Sequence, residues 1–157
     1  MFPRGDGDGW ARCGQGHTHW GLFGAAGLLL WHGDRVLLQH RALWSHHGGT
    51  WGILGGARNH GESAEAAALR EAGEEAGVDP AEIETTAGHV DDHGGWSYTT
   101  VVARAAAPLH LTALTAETIE VRWVAVDDLG SLPLHPGFAA SWDAVRAVSA
   151  AVPPTAG

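Results

Sequence analysis

The residues best placed to do chemistry are three glutamates, Glu71, Glu74 and Glu75, crowded into the stretch "GGARNHGESAEAAALREAGEEAGV" at residues 55–78. On a helix, residues three and four apart are neighbours, with about 5–6 Å between Cβ atoms, so Glu71 adjoins both of the others. Like charges at that spacing destabilise a helix by roughly a few tenths of a kcal/mol per pair in water, and by more as water is excluded. The bland reading is a solvated face on which Arg70 pairs with Glu74 one turn on. Composition argues against it. The other positions from 64 to 76 are mostly alanine, so the acids gather toward one end, and a glycine pair, Gly55 and Gly56, precedes them. A hard cation such as Mg²⁺ or Mn²⁺ takes carboxylate and carbonyl oxygens and keeps positions for water and substrate phosphates. This stretch could supply that combination.

The elements that must position these acids can be read on either side. "SAEAAALREAGEEAG" is rich in helix formers, with Ser63 as N-cap and Glu65 in the first turn, where the helix dipole favours negative charge. Gly77 stands where a left-handed residue ends a helix, and Val78 follows as its hydrophobic contact. Gly73, inside the helix, costs roughly 1 kcal/mol against alanine; close packing, a close ligand or simple exposure would each account for it. Before the helix, two apolar strands, Ala25–Trp31 and Arg35–Gln39, are joined by a His-Gly-Asp turn, and "TWGILGG" is a further strand running into the glycine pair. After it, "IETTAGHV", "WSYTTVVARAAA" and "EVRWVAV" are strand-like, being rich in Thr, Val, Trp and Tyr. A closing helix over 136–150 carries Phe138, Trp142, Val145 and Val148 at helical spacing. Strands interrupted by two separated helices predict an α/β fold with a mixed sheet covered on both faces.

The chain has 157 residues and a net charge of −9, and its nine basic residues are all arginine. That length fits one domain, expected over residues 20–151, with a loose arm at 1–19 and a frayed tail at 152–157. The acidic balance argues against duplex nucleic acid or anionic membrane as partner, since both need basic patches. An anionic small-molecule ligand would then need bound cations or a few placed arginines. Cys13 is the only cysteine, which excludes an intrachain disulfide and a cysteine-rich zinc site and fits a reducing, cytoplasmic setting. The run "GLFGAAGLLLW" is too short to span a bilayer and reads as a buried strand. Cys13, His17 and His19 could bind a metal together, but such a trio in a glycine-rich tail is more often inert. His46, His47, His60, His89 and His93 read as solvated loop residues.

The spacing also carries a resemblance. From Gly56 there are five residues to Glu62, then seven to Arg70 and Glu71, then Ala72, Gly73, Glu74, Glu75, Ala76, Gly77 and Val78. This resembles a complete Nudix box over residues 56–78, with Ala72 where the family usually has a larger aliphatic residue. The flanking strand order is similar over roughly residues 24–129. The resemblance implies a Nudix-type α/β/α sandwich with a mixed β-sheet between helices, and Mg²⁺- or Mn²⁺-dependent cleavage of a diphosphate linkage.

Carried onto this chain, the resemblance makes Glu71, Glu74 and Glu75 metal ligands together with the carbonyl of Gly55, with Glu62 and Arg70 orienting them. A general base is needed as well: a box glutamate, Glu117, whose placement resembles a catalytic loop glutamate of MutT-type members, or its neighbour Glu120. Arg41 matches a phosphate-contacting arginine of those members, and Arg58 lies in the box loop within reach of a phosphate. Each is otherwise an ordinary surface arginine. Trp96 and Tyr98, two apart, would share a strand face and could stack on a base, although a core role for one of them is the commoner outcome. Leu54 and Ala57 depart from the proline and lysine common around the glycine pair, which weakens any inference about substrate. MutT-like cleavage of a (deoxy)nucleoside triphosphate, an oxidised one included, to monophosphate and pyrophosphate is the expected activity. Hydrolysis of a nucleotide sugar, ADP-ribose or a prenyl diphosphate is the alternative, and a non-catalytic binding or regulatory domain is a third reading. A homodimer is left open.

Overall fold

The structure is a computed structural model, and it describes residues 5–150; the expected tail at 152–157 lies outside them. The strands are β1 (Trp10–Arg12), β2 (Thr18–Trp20), β3 (Ala25–His32), β4 (Arg35–Arg41), β5 (Trp51–Gly52), β6 (Leu54–Ala57), β7 (Ile83–Asp92), β8 (Ser97–Ala105) and β9 (Thr118–Ala125). The helices are α1 (Ala64–Ala76) and α2 (Pro136–Ala150). Strands β3 to β9 form one sheet in the order β5-β4-β3-β8-β7, with β6 also paired to β3 and β9 to β4. The β3–β8 pairing is parallel, from Ala25 opposite Tyr98 to Trp31 opposite Arg104, and the others are antiparallel. The sheet is therefore mixed.

Strand β3 explains the layering, because alternate side chains of a strand point to opposite faces. Ala26, Leu28 and Leu30 join Leu37, Leu54, Val101 and Ala103 in a cluster closed by Ala67, Ala68, Ala72 and Ala76 of α1. Leu29 and Trp31 join Val36, Leu38 and Val102 in a second cluster closed by Phe138 and Val145 of α2. A strand apolar on both faces is buried on both, and the result is the expected α/β/α sandwich.

Two expectations need correction. "TWGILGG" is not one strand: β5 pairs with β4 and β6 with β3, the break falling at Ile53. Residues 10–20, all but the last expected within the loose arm at 1–19, form an antiparallel hairpin in which Trp10 lies opposite Trp20 and Arg12 opposite Thr18. Too short to show a period, this hairpin is held by contacts outside itself: Cys13 is buried with Ala25 and Trp96, and Gly14 donates its N–H to the carbonyl of Gly94.

Candidate active site

The helix α1 starts and stops as its sequence dictates. Ser63, in extended conformation, accepts a hydrogen bond from the N–H of Ala66, and Gly77, left-handed at φ 76°, returns its N–H to the carbonyls of Ala72 and Gly73. The buried face is alanine throughout (67, 68, 72 and 76), which lets the helix lie close on β3 and β6. Ala72, at 0% exposure, is small for that reason. Close approach brings the acids of the helix onto the glycine pair. A Cβ at Gly56 would stand 2.6 Å from the carboxyl carbon of Glu71, so any larger residue there would displace the Glu71 carboxylate.

Arg70 organises the polar side. Its Nε lies 2.9 Å from one oxygen of Glu62 and its Nη2 3.0 Å from the other, a fork-on-fork pair. The same guanidinium donates to the carbonyl of Ala57 at 3.0 Å and to Glu71 at 3.0 Å, and reaches Glu74 at 3.5 Å. Glu62 also accepts the N–H of Asn59. Hydrogen bonding to Arg70, aided by that N–H, holds the Glu62 carboxyl below its ordinary value, and Glu62 in turn raises the pKa of Arg70. The pair ties the glycine loop to the helix as one unit.

Glu71 and Glu75 have the opposite electrostatics. Burial pushes both upward, and each is further disfavoured as an anion by a neighbouring acid: Glu74 for Glu71, and Glu71 for Glu75. Two groups relieve Glu75, the charge of Arg41 and the backbone N–H of Gly55. Its Oε2 is nonetheless buried with no hydrogen-bond partner. Buried polar atoms are rarely left so, and a carboxylate oxygen beside a second carboxylate is satisfied by a cation better than by any neutral donor. A divalent cation therefore fits the residues present. Glu74 is exposed, and Arg70 stands between it and Glu71, so the three acids are arrayed along the helix without converging on one point.

The other expected residues divide. Arg41 ends β4 beside the site, where its charge acts on Glu75, Tyr98 and His135, and its Nε donates to the carbonyl of His46. Tyr98 is on β8 against Gly55, its hydroxyl 3.1 Å from where a Cβ of that glycine would stand. Burial and the charge of Glu75 raise its pKa. Glu117 is exposed just ahead of β9, and its carbonyl accepts the N–H of Ala42, one residue past β4. Glu120 is paired with Arg122 at 2.7 Å, and Arg122 lies over the Trp51 ring.

Arg58 closes the box loop by donating from Nε and Nη2 to the carbonyl of Glu62. Trp96 takes the core role expected for one of the aromatic pair. It precedes β8, its N–H donates to Gly21, and one face of its indole is covered by His19 with the ring centroids 3.9 Å apart. Tyr98, partly buried, packs against the small cluster that Trp96 forms with Cys13 and Ala25. Sequence reasoning missed His135, brought beside Arg41, His47 and His46 by the loop before α2 and shifted down to about 4, chiefly by burial. No local signal marks it, because the contact is made by the chain's return to β5, where His135 donates its N–H to Trp51.

A family model described as NUDIX domain matches residues 21–147. A Mycobacterium tuberculosis protein named "Putative 8-oxo-dGTP diphosphatase 3", found in two strains, is 51% identical over 96% of this chain and 74% of its own length. A "Nucleoside triphosphate pyrophosphatase/Nudix hydrolase fusion protein" of Bifidobacterium longum is 43% identical over 87% of this chain and 30% of its own. Among solved structures, a Nudix hydrolase from M. smegmatis, RenU, superposes with a TM-score of 0.85 at 46% identity, covering 96% of this chain and 100% of that one.

Proposed function

Because the chain belongs to the Nudix hydrolase family, we propose that it is a Mg²⁺- or Mn²⁺-dependent, cytoplasmic hydrolase of a nucleoside triphosphate, an oxidised deoxynucleotide included, releasing monophosphate and pyrophosphate. The observation that carries the metal dependence is the buried, unpartnered Oε2 of Glu75 beside Glu71. The substrate class is supported by the 51% identity to a protein named as an 8-oxo-dGTP diphosphatase. The free, buried thiol of Cys13 fits a reducing compartment, and the hydrolase domain is taken to run over residues 20–151.

In this reading Glu71, Glu74, Glu75 and the carbonyl of Gly55 hold the cations. Such cations would neutralise the diphosphate and lower the pKa of a water so that, once deprotonated, it can attack phosphorus. Glu62 acts through Arg70, whose fork fixes the Glu71 carboxylate and the Ala57 carbonyl. Arg41 supplies positive charge to the phosphates. Glu117 is the better candidate for general base, since the carboxylate of Glu120 is already paired with Arg122. Tyr98 offers an aromatic edge next to the glycines, and Trp96, with one ring face already covered, is dropped from the substrate set. Arg58, spent on a backbone carbonyl, fixes the loop.

The test is a metal-supplemented panel of nucleoside triphosphates, oxidised ones among them, nucleotide sugars, ADP-ribose and prenyl diphosphates, scored for pyrophosphate and phosphate release. Cleavage in ¹⁸O-labelled water would locate the attacked phosphorus. Triphosphates, the oxidised deoxynucleotide foremost, should be turned over, with pyrophosphate the product. Unchanged turnover in Glu74→Gln would overturn the metal assignment.

A further inference from the structure

We propose that Cys13, His17, His19 and His93 form a structural zinc site that fastens the N-terminal β1–β2 hairpin to the turn between β7 and β8. Each of the four can present one ligand atom such that all four atoms lie within 4.8 Å of one another. In a tetrahedral site with Zn–S about 2.3 Å and Zn–N about 2.0 Å, ligand atoms stand about 3.3–3.6 Å apart. The most separated pair therefore needs to close by little more than about 1 Å.

Two further observations point to a missing ligand. The Nε2 of His19 and the Nδ1 of His93 are both buried with no hydrogen-bond partner, on rings whose centroids are 4.7 Å apart. Solvated or hydrogen-bonded core histidines would not leave two nitrogens unpaired in one place. Their surroundings already orient them. The Nε2 of His93 lies 2.8 Å from Asp91 Oδ2, which leaves Nδ1 as the ligand atom and makes it more basic, the usual support of a metal-bound histidine. His19 is stacked on Trp96 at an interplanar angle of 9°, and Trp96 is fixed by its bond to Gly21. The hairpin turn is set as well: the Cys13 N–H donates to the His17 carbonyl at 2.9 Å, and the Cys13 carbonyl accepts from the Gly16 N–H at 3.0 Å.

One thiolate and three imidazoles suit zinc better than a hard cation, and four protein ligands leave no open position, which marks a structural and not a catalytic site. The acids of α1 take no part in it. His93 joins the hairpin ligands across more than seventy residues of sequence, so the metal would supply the long-range link that a three-residue strand pair cannot supply alone.

The test uses the full chain, purified without a histidine tag and with Mg²⁺ in excess after growth in zinc-supplemented medium. Elemental analysis should find about one zinc per chain, retained in Glu71→Gln and Glu75→Gln and lost in Cys13→Ser. Should Cys13→Ser fail to fold, His17→Ala, at an exposed position, should still fold and bind Zn²⁺ at least tenfold more weakly against a chelating dye. Co²⁺ loaded into wild type should give a thiolate charge-transfer absorption. Absence of that absorption, together with less than a tenth of a zinc per chain in wild type, overturns the proposal; so does full zinc stoichiometry and unchanged affinity in His17→Ala.

Discussion

At position 70 an arginine does what a lysine could not. Its planar fork meets both oxygens of Glu62 and still reaches the Ala57 carbonyl and Glu71, whereas an ammonium offers a point charge with no fixed fork. Arg70→Lys should therefore keep the local charge and lose the alignment of Glu71. The expected cost is about 10–100-fold in kcat/KM, the usual range for groups that orient metal ligands, and steady-state kinetics at saturating Mg²⁺ would read it. A loss below about threefold would remove Arg70 from that role. Gly56 makes the same point from the other side. An added methyl would meet the Glu71 carboxylate at 2.6–2.8 Å, and a displacement of about 1 Å can cost on the order of 10²-fold in rate. Gly56→Ala should accordingly fold with near-native stability but turn over on the order of a hundredfold more slowly, and native-like turnover would show that Glu71 can shift freely.

The helix α1 gives a prediction of opposite sign. A Cβ at Gly73 would meet nothing closer than the carbonyl oxygen of Val78, at 3.5 Å, which is ordinary contact, so neither packing nor backbone conformation requires glycine there. Gly73→Ala should stabilise the protein by about 0.5–1 kcal/mol, measured by urea unfolding with the slope unchanged. Ser63→Ala should cost about 1 kcal/mol through the lost cap. A destabilised Gly73→Ala would mean that something outside the chain needs the space. The helix was fully legible in sequence because its cap, its dipole charge and its left-handed stop are all local signals. The hairpin β1–β2 was not, because it rests on contacts between Cys13 and Trp96 and between Gly14 and Gly94, residues that only the returning chain brings together. The core role of Trp96 has the same origin: spacing of two could not say which of Trp96 and Tyr98 would be buried, and the hairpin's Cys13 and His19 cover Trp96.

Over the whole molecule, opposing titrations set the response to acid. His135 has its pKa lowered to about 4 in the fold from an ordinary 6.5, so between those values the unfolded chain takes a proton that the folded one refuses, and stability falls as pH drops through that window. Glu62, held low, adds a loss at more acid pH, while Glu71 and Glu75, held high, act in the other sense because their fold is relieved by protonation. His135→Asn keeps an acceptor for the Gly137 N–H and should flatten the urea midpoint between pH 6.5 and 4; an unchanged slope would exclude His135 as its source. The crowding of acids on α1 was legible through their spacing alone, but how strongly they are buried was not, since that depends on the alanine face drawing α1 onto β6. Burial of like charges in a chain of net −9 without a single lysine also sets the terms of binding. Arg70 is paired with carboxylates and Arg122 with Glu120, and Arg41 is the arginine whose charge acts on Glu75 and Tyr98. A triphosphate approaching this site meets net repulsion unless cations come with it. A non-hydrolysable triphosphate analogue should therefore bind at least about tenfold more weakly when Mg²⁺ is omitted, equivalent to losing one charge-assisted contact of about 1.5 kcal/mol or more. Omitting Mg²⁺ instead of adding a chelator keeps any zinc of the hairpin in place, so a loss of affinity reports the carboxylate site alone. Equal affinity by titration calorimetry with and without Mg²⁺ would mean that the protein's own donors suffice, and the buried carboxylates of α1 would then need another explanation.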